Sequence, residues 1–454
     1  MPSPPPLIRV VSRCTVKARP GAHPRRCEMS LWDLSMFSVH YIQKGHLFSF
    51  PSHATPPVVV LLDRLKASLS LALRYFYPLA GRLAVEEASE GDGMYVHIDC
   101  DDRGAEFVHA AADGVTVADV LAPSDDVPAF VRGFFPLDWA VGFDGRTLPL
   151  LAVQVTELAD GVFLGCSINH SVGDGTSFWN FFNAWAEVAR SKEGDGGISR
   201  QPVHDRWFVE GGECPIKLPF SREEQFVERF APPPLREKIF HFTAGSVAAL
   251  KARANAECCS ATEDEISSLQ ALSALVWRCI TRLRRLPGEQ TTRCKLAAEN
   301  RFRLRPPLPA DYFGNSIYPI VAETSAGELL AHGLGWAARL LRRCVASHTD
   351  GAIRGMVERW MESPRVYALS GFDRHSVMVG SSPRFDMYGC DFGWGRAVAL
   401  RSGNANKFDG KVSTYPGREG GGSVDLEICL PPDAMVALEA DQEFTGAVSV
   451  PAPI

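Results

Sequence analysis

A histidine and an aspartate stand four residues apart in the segment His170-Ser171-Val172-Gly173-Asp174. Histidine has the unperturbed pKa nearest neutrality, so a well-placed imidazole can accept a proton from a hydroxyl or an amine at working pH. Asp174 could orient the imidazole or anchor the turn through a buried cation, and the spacing alone leaves both roles open. An H-x-x-x-D string also arises by chance, so its structural context must support the prediction that His170 is a general base.

A second unusual string is Asp391-Phe392-Gly393-Trp394-Gly395. Two glycines let the backbone turn tightly around a tryptophan that can fill a gap in the packing. The pattern therefore favours a structural loop, and Asp391 is kept as a second candidate for the chemistry.

The sequence offers no obvious covalent nucleophile. It has no G-x-S-x-G elbow, and none of its 12 cysteines has a neighbouring base in the sequence. Direct transfer within a ternary complex is the simpler mechanism. The cysteines also form no C-x-x-C pair and no short cluster with histidine, which argues against a zinc site and against a disulfide framework.

His170 is predicted to lie at a junction between a strand and a helix. Leu150 to Leu158 and Val162 to Asn169 are strand-like runs joined through Asp160-Gly161, a strong hairpin signal. Large apolar residues then recur at helical spacing from near Thr176. This placement raises the weight of His170 as a catalytic residue.

Strand and helix patterns appear in both halves of the chain. An apolar stripe from Leu62 to Phe76 predicts a helix, Thr262-Glu263-Asp264-Glu265 has the form of a capping box, and late strands are expected at Ala397 to Leu400 and Val424 to Leu430. A glycine-rich, charged stretch between the two halves of the chain predicts a linker. We expect a first domain at 1–195, a linker at 196–225 and a second domain at 226–454.

Composition excludes several classes of protein. The net charge of -6, from 47 Lys and Arg against 53 Asp and Glu, gives no basic field for nucleic acid. No apolar run approaches the length of a membrane span. Scattered free cysteines suit a reducing compartment, which predicts the cytoplasm. The basic opening segment could be read as a transit peptide, but Leu7 to Val16 followed by Pro20-Gly21 favours an ordinary first strand.

Taken together, the two strings in this order resemble the signature of the plant BAHD family of acyl-CoA-dependent acyltransferases. The resemblance spans nearly the whole chain, and further family-like stretches are Phe76 to Arg82, Ser268 to Arg278, Asn300 to Pro309, Tyr312 to Asn315 and Asn406 to Gly410.

The resemblance implies an α/β fold with two domains of mixed β-sheet flanked by helices and an active-site channel between them. His170 matches the catalytic base, and Asp174 matches a residue that turns from the substrate to pair with an arginine, here Arg301. The loop with Asp391, Gly393 and Trp394 matches the second motif, which supports the architecture. A stretch near residues 385 to 410 is expected to cross back to the first sheet.

The same resemblance implies a monomer of plant secondary metabolism that takes acyl-CoA as co-substrate and acylates a small-molecule hydroxyl or amine, with no tightly bound cofactor and no metal. Two alternatives keep the fold. One is a lyase or intramolecular acyl-transfer enzyme acting on a CoA-free substrate, and the other is an idle binding protein. Intact His170 and Asp174 count against the idle protein.

Overall fold

The computed structural model describes residues 8–50, 57–89, 91–121, 126–191, 197–258 and 265–449. Within these ranges the strands are β1 (Arg9–Val16), β2 (Arg26–Glu28), β3 (Ile42–Ser49), β4 (Arg82–Glu87), β5 (Met94–Asp99), β6 (Ala105–Ala111), β7 (Leu151–Glu157), β8 (Gly161–Ile168), β9 (Arg236–Phe242), β10 (Thr291–Glu299), β11 (Ile317–Ser325), β12 (Val377–Gly380), β13 (Ala399–Ser402), β14 (Lys411–Pro416) and β15 (Val424–Leu430).

The helices in the same ranges are α1 (Leu31–Leu34), α2 (Val58–Tyr75), α3 (Val117–Leu121), α4 (Gly175–Arg190), α5 (Ala244–Glu257), α6 (Ser268–Leu283), α7 (Ala326–Ala331), α8 (Leu334–Ser347), α9 (Asp350–Glu362), α10 (Pro432–Glu439) and α11 (Gln442–Thr445). None of these helices combines the length and the apolar character that a membrane span requires.

Two six-stranded sheets organise the molecule. The first has the order β1-β6-β7-β8-β3-β13 and the second the order β11-β10-β12-β14-β15-β9. Each sheet combines parallel and antiparallel pairs, for example β6 with β7 and β7 with β8 in the first sheet. The predicted α/β class with two mixed sheets is confirmed. A three-stranded sheet, β2-β5-β4, was not predicted, because its shortest strand has only three residues.

Apolar side chains bury one face of each large sheet against helices. In the first half, α2 packs on α4 and both contribute to the largest core, with Leu65, Phe181 and Trp185 among its fully buried residues. In the second half, α5, α6 and α8 pack on one another over the core that contains Trp277 and Val412. Each sheet therefore has its own hydrophobic support.

The chain returns to the first sheet after it has entered the second. Strand β13 pairs antiparallel with β3, with Ala399 opposite Leu47 and Ser402 opposite Lys44. It then leads into β14, which lies between β12 and β15 in the second sheet. The stretch expected to cross back near residues 385 to 410 contains this strand, whereas the domain limits given above stay a prediction.

Some boundaries differ from those predicted. Helix α6 begins at Ser268, where Ser267 and Gln270 form the capping box, so the predicted cap at Thr262 is wrong and residues 262–264 themselves lie outside the described ranges. The late strand begins at Ala399 and not at Ala397. The described part of the predicted linker, 197–225, contains one short 3-10 turn at Glu223–Gln225.

Candidate active site

Strand β8 ends just before His170, and a side-chain turn fixes the segment that carries it. Asn169 Oδ1 accepts hydrogen bonds from the Ser171 amide at 2.9 Å and from Ser171 Oγ at 2.6 Å. Asn169 Nδ2 donates to the Gly142 carbonyl at 2.7 Å. An asparagine that bonds the backbone two residues on offers the chain an alternative to the strand ladder, so the strand stops here.

Asp174 begins the next helix. Its carboxylate accepts a hydrogen bond from the Ser177 amide at 3.1 Å, the position of an N-cap, and α4 starts at Gly175. An aspartate is among the strongest N-caps because it satisfies an amide that the first helical turn leaves free. The predicted junction between strand and helix at His170 is therefore present.

Asp174 also forms a bidentate ion pair with Arg301. Arg301 Nη1 lies 2.7 Å from Oδ2 and Nη2 lies 3.0 Å from Oδ1, and both side chains are fully buried. The Ser316 amide donates a further hydrogen bond of 2.9 Å to Oδ2. Among the described hydrogen bonds of Asp174, none joins its side chain to His170.

Electrostatics hold this carboxylate ionised. Burial by itself raises the pKa of Asp174, but the Arg301 guanidinium and the amides of Ser177 and Ser316 outweigh it and keep the pKa below its ordinary value. Arg301 also donates to the carbonyls of Tyr312, at 3.1 Å, and Gly314, at 3.0 Å. The pair therefore fastens the start of α4 to the loop at residues 312–316.

A second buried ion pair, between Asp33 and Arg206, is connected to His170 through Asn315. Asn315 Nδ2 donates to the His170 carbonyl at 2.8 Å and to Asp33 Oδ1 at 2.9 Å. Asp33 Oδ2 in turn accepts a hydrogen bond of 2.9 Å from Arg206 Nε, and both of these charged side chains are almost fully buried. We refer to Asp33, Asp174, Arg206, Arg301 and Asn315 as the scaffold network.

Three members of this network were not assigned from the sequence. Asp33 caps the short helix α1 together with Ser30, and the Ser-x-x-Asp spacing was a usable local signal. Asn315 lies in one of the family-like stretches, but nothing in the stretch indicated its contact with His170. Arg206 falls in the predicted linker, where no local pattern indicates a buried guanidinium.

The imidazole of His170 is half-buried, and its Nδ1 is enclosed without a hydrogen-bond partner among the described residues. Burial lowers the pKa of His170 below its ordinary value of 6.5, and the ammonium group of Lys411 acts in the same direction. The ring is therefore neutral at pH 7. A neutral imidazole on a fixed turn can accept a proton.

The Asp391 carboxylate serves its own loop. Its Oδ1 accepts hydrogen bonds from the amides of Gly393 at 2.7 Å, Trp394 at 3.1 Å and Gly395 at 3.0 Å. Gly393 and Gly395 have φ values of 93° and 91°, which glycine adopts without strain. The described hydrogen bonds of the Asp391 side chain stay within this loop and do not include His170.

Aromatic packing attaches the loop to the first half of the molecule. The ring of Trp394 lies 5.2 Å from that of Phe48 on β3, and fully buried Phe392 packs edge-to-face on Trp185 of α4 at 5.0 Å. Edge-to-face pairs at such distances are favourable geometries for aromatic rings. The loop thus supports β3 and α4, the elements beside the His170 turn. In the described ranges, no group of three or more His, Cys, Asp or Glu side chains is arranged to hold a metal ion.

Solved structures with the same architecture cover almost the whole chain. Vinorine synthase superposes with a TM-score of 0.73 at 20% identity, covering 98% of this chain and 99% of its own. TRI101 of F. sporotrichioides, solved with coenzyme A and T-2, gives a TM-score of 0.73 at 17% identity, covering 93% of this chain and 99% of its own. At these identities the likeness shows the fold.

Sequence comparison shows the family. The model of the Transferase family matches residues 7–445. The uncharacterised acetyltransferase At3g50280 of Arabidopsis thaliana is 40% identical over 92% of this chain and 94% of its own length. The BAHD acyltransferase DCR of Arabidopsis thaliana is 35% identical over 96% and 92%. The hydroxycinnamoyl-CoA:5-hydroxyanthranilate N-hydroxycinnamoyltransferase HHT4 of Avena sativa is 30% identical over 82% and 84%. The chain belongs to the BAHD acyltransferase family.

Proposed function

We propose that this protein transfers an acyl group from an acyl-CoA thioester to a hydroxyl or amine of a small-molecule acceptor, with His170 as general base. The observation that carries the proposal is the half-buried imidazole of His170 on a turn whose backbone is held by Asn169 and Asn315, in surroundings that favour the neutral ring. A general base must be deprotonated and correctly placed before the acceptor arrives, and this arrangement favours both.

A single residue, His170, is sufficient for both proton transfers of the reaction. His170 removes the acceptor proton as the oxygen or nitrogen attacks the thioester carbonyl. The tetrahedral intermediate then collapses, the carbon–sulfur bond breaks, and the imidazolium returns the proton to the departing thiolate of CoA. No covalent acyl-enzyme is needed. Asp174 and Arg301 act as positioning residues, because they bind each other and the backbone, and Arg301 also pairs with Glu299.

The second motif acts at a distance from the proton transfer. We assign Asp391 to the folding of its own loop, since its carboxylate accepts three of the loop's amides, and Gly393 and Trp394 to the same support. This assignment moves Asp391 from the catalytic candidates to the positioning residues.

Two relatives support CoA as the donor. TRI101 was solved with coenzyme A, and the name of the oat relative specifies a hydroxycinnamoyl-CoA donor. The same name specifies an amine on an aromatic acid as the acceptor of that enzyme. We propose that CoA binds this chain as a dissociating co-substrate. The thiols of the described cysteines are free, which supports a reducing compartment such as the cytoplasm.

The first test replaces the base. His170→Gln should lower kcat/KM about 10²- to 10⁴-fold, because proton transfer by a positioned side chain contributes that much. Donors and acceptors are found by screening acyl-CoA thioesters against mixed alcohols and amines, with free thiol release and product mass as readouts. The matched control is His332→Gln, an exposed histidine, which should retain wild-type turnover. A folded His170→Gln protein within tenfold of wild type would refute the assignment.

The second test addresses the donor. A ligand that binds only the folded state stabilises it by RT ln(1 + [L]/Kd), so CoA at about 100 times its Kd should add about 2.7 kcal/mol and raise the melting temperature by several degrees. If millimolar CoA and acyl-CoA leave the melting temperature unchanged while His170 is still essential for turnover of a CoA-free substrate, the enzyme is a lyase or an intramolecular acyl-transfer enzyme.

A further inference from the structure

The second sheet turns one face toward the first sheet. Side chains alternate along a strand, and Val412 of β14 is buried in the second core. Lys411, Ser413 and Tyr415 therefore point to the opposite face. Tyr415 Oη accepts a hydrogen bond of 2.5 Å from Lys44 Nζ of β3, so this face meets the first sheet directly.

A buried ionic cluster occupies that interface, and its carboxylates are fully engaged. Both oxygens of Glu427 accept hydrogen bonds from Ser402 Oγ, at 2.6 and 2.8 Å. Tyr415 Oη donates to Glu427 at 2.5 Å, and Lys407 Nζ bonds Glu427 at 2.6 Å and also pairs with Glu237. We call the following residues the Glu427 cluster: Lys44, Glu237, Ser402, Lys407, Tyr415 and Glu427.

Lys411 stands beside the cluster without a partner. It is half-buried, and among the described residues its ammonium group makes no hydrogen bond and no ion pair. The neighbouring strand leaves room for it, because a Cβ added to Gly380 would lie 2.4 Å from Lys411 Nζ. Burial lowers the pKa of Lys411 to about 8, and the nearby Glu427 carboxylate offsets only part of this effect.

Charge is unbalanced at this place. Four cations, Lys44, Lys407, Lys411 and Arg132, stand against three carboxylates, those of Glu237, Glu427 and Asp138, and Arg132 lies 2.8 Å from Glu237. Placing a charge out of water is costly unless it is paired. An excess cation of this kind favours an anionic ligand.

Lys411 is also within electrostatic range of the proposed base, since its charge is one of those that lower the pKa of His170. His170 follows β8, which pairs with β3, and Lys411 lies on the face of β14 that meets β3 through Lys44 and Tyr415. An acceptor that reaches His170 and extends along the interface between the two sheets would bring its other groups toward Lys411.

We propose that Lys411 binds a carboxylate of the acceptor substrate, so that the enzyme prefers acidic acceptors over uncharged ones. The inference rests on the function proposed above. An acceptor carboxylate fits better than a CoA phosphate, because the pantetheine arm separates the phosphates of CoA from the thioester that must reach His170. Ammonium groups form strong charge-assisted hydrogen bonds with carboxylates.

The test compares acceptors that differ only in charge. Hydroxybenzoates, aminobenzoates and hydroxy acids are assayed against their own methyl esters, with acetyl-CoA as an uncharged acyl donor. For the wild type we expect kcat/KM for acids to exceed that for esters at least tenfold. In Lys411→Met this preference should disappear, whereas Lys411→Arg, which keeps the charge, should retain most of it.

Lys295→Met provides the matched control. Lys295 of β10 lies in the same row of the sheet, with Met378 of β12 between it and Lys411, but its ammonium is already 3.7 Å from Asp373. It should keep the preference for acids. Equal use of acids and esters by the wild type, or an undiminished preference in Lys411→Met, would overturn the proposal. So would a preference that appears only in the donor, with malonyl-CoA favoured over acetyl-CoA.

A binding experiment distinguishes a failure of this proposal from a failure of the proposed function. The same acids and esters are tested for their effect on the melting temperature of wild-type and Lys411→Met protein without any donor. Acids that stabilise only the wild type support the carboxylate site even if no acyl transfer is found. If acyl transfer is found but no acid binds or reacts better than its ester, the proposed function stands and the carboxylate site falls.

Discussion

Two buried charge networks, one at the His170 turn and one between the two large sheets, are built differently. The scaffold network pairs Asp33 with Arg206 and Asp174 with Arg301, so that each carboxylate has its own guanidinium. The Glu427 cluster, together with Lys411, has more ammonium groups than carboxylates. In the first network both carboxylates form ion pairs, whereas the second includes the Lys411 ammonium, which makes no hydrogen bond or ion pair with the described residues.

The two networks therefore suit different roles, one in holding the fold and the other in binding a ligand. A planar guanidinium that binds a carboxylate through two parallel hydrogen bonds fixes geometry, and Arg301 also donates to the carbonyls of Tyr312 and Gly314 and to Glu299. A lysine ammonium is a compact charge on a flexible stem, and it loses its proton more readily when buried. Guanidinium pairs therefore hold the His170 turn, and a free ammonium suits a ligand that comes and goes.

The largest expected effect is on the scaffold network. Asp174→Asn keeps an N-cap for α4 but removes the charge opposite Arg301, and breaking a buried pair in this way costs about 3 to 5 kcal/mol. The free energy of unfolding should fall by that amount in urea titrations. Asp113→Asn, which breaks an exposed pair with Arg9, serves as control and should cost less than about 1 kcal/mol. A loss of less than 1 kcal/mol in Asp174→Asn would remove the distinction between the networks.

Substitution of Lys411 should have a smaller effect on the free energy of unfolding, and in the opposite direction. Lys411→Met removes an uncompensated cation and keeps most of the apolar stem, so the free energy of unfolding at pH 7 should stay unchanged or rise. The same urea titration measures it. A clear destabilisation would mean that Lys411 is engaged within the folded protein and is not available to a ligand.

The smallest expected effect is a pH dependence of the difference in unfolding free energy between Lys411→Met and the wild type. The pKa of Lys411 is lowered from its ordinary value of 10.5 to about 8, so between these pH values the unfolded chain binds more protons at this site than the folded protein does. Stability contributed by this group therefore rises with pH across that window. The advantage of Lys411→Met over the wild type should shrink from pH 8 to pH 10. Lys44, whose pKa is also lowered to about 8, remains in both proteins, so its contribution largely cancels.

Local patterns predicted the elements that carry the base. The hairpin signal at Asp160-Gly161 and the apolar period after Thr176 correspond to β7, β8 and α4, because alternation and helical spacing are properties of neighbouring residues. The pairing of Asp174 with Arg301 was different. The two residues are 127 positions apart, and only the family resemblance suggested that they meet.

For other contacts neither a local pattern nor the family resemblance indicated which residues meet. Asp33 and Arg206 are 173 positions apart, and Arg206 lies where the sequence predicts a linker. The segment from Lys411 to Pro416 contains polar residues at alternate and at adjacent positions, so its pattern does not tell which face is buried. That face is defined only once β14 lies between β12 and β15 with its register fixed.

The return of the chain to the first sheet has a consequence for protein engineering. Strand β13 covers the edge of β3 with backbone hydrogen bonds, yet it belongs by sequence to the C-terminal half. A hybrid made by joining the N-terminal half of one relative to the C-terminal half of another would therefore combine strands of both parents in one sheet. A hybrid in which residues 399–402 come from the same parent as the N-terminal half has every strand of the first sheet from that parent and every strand of the second sheet from the other.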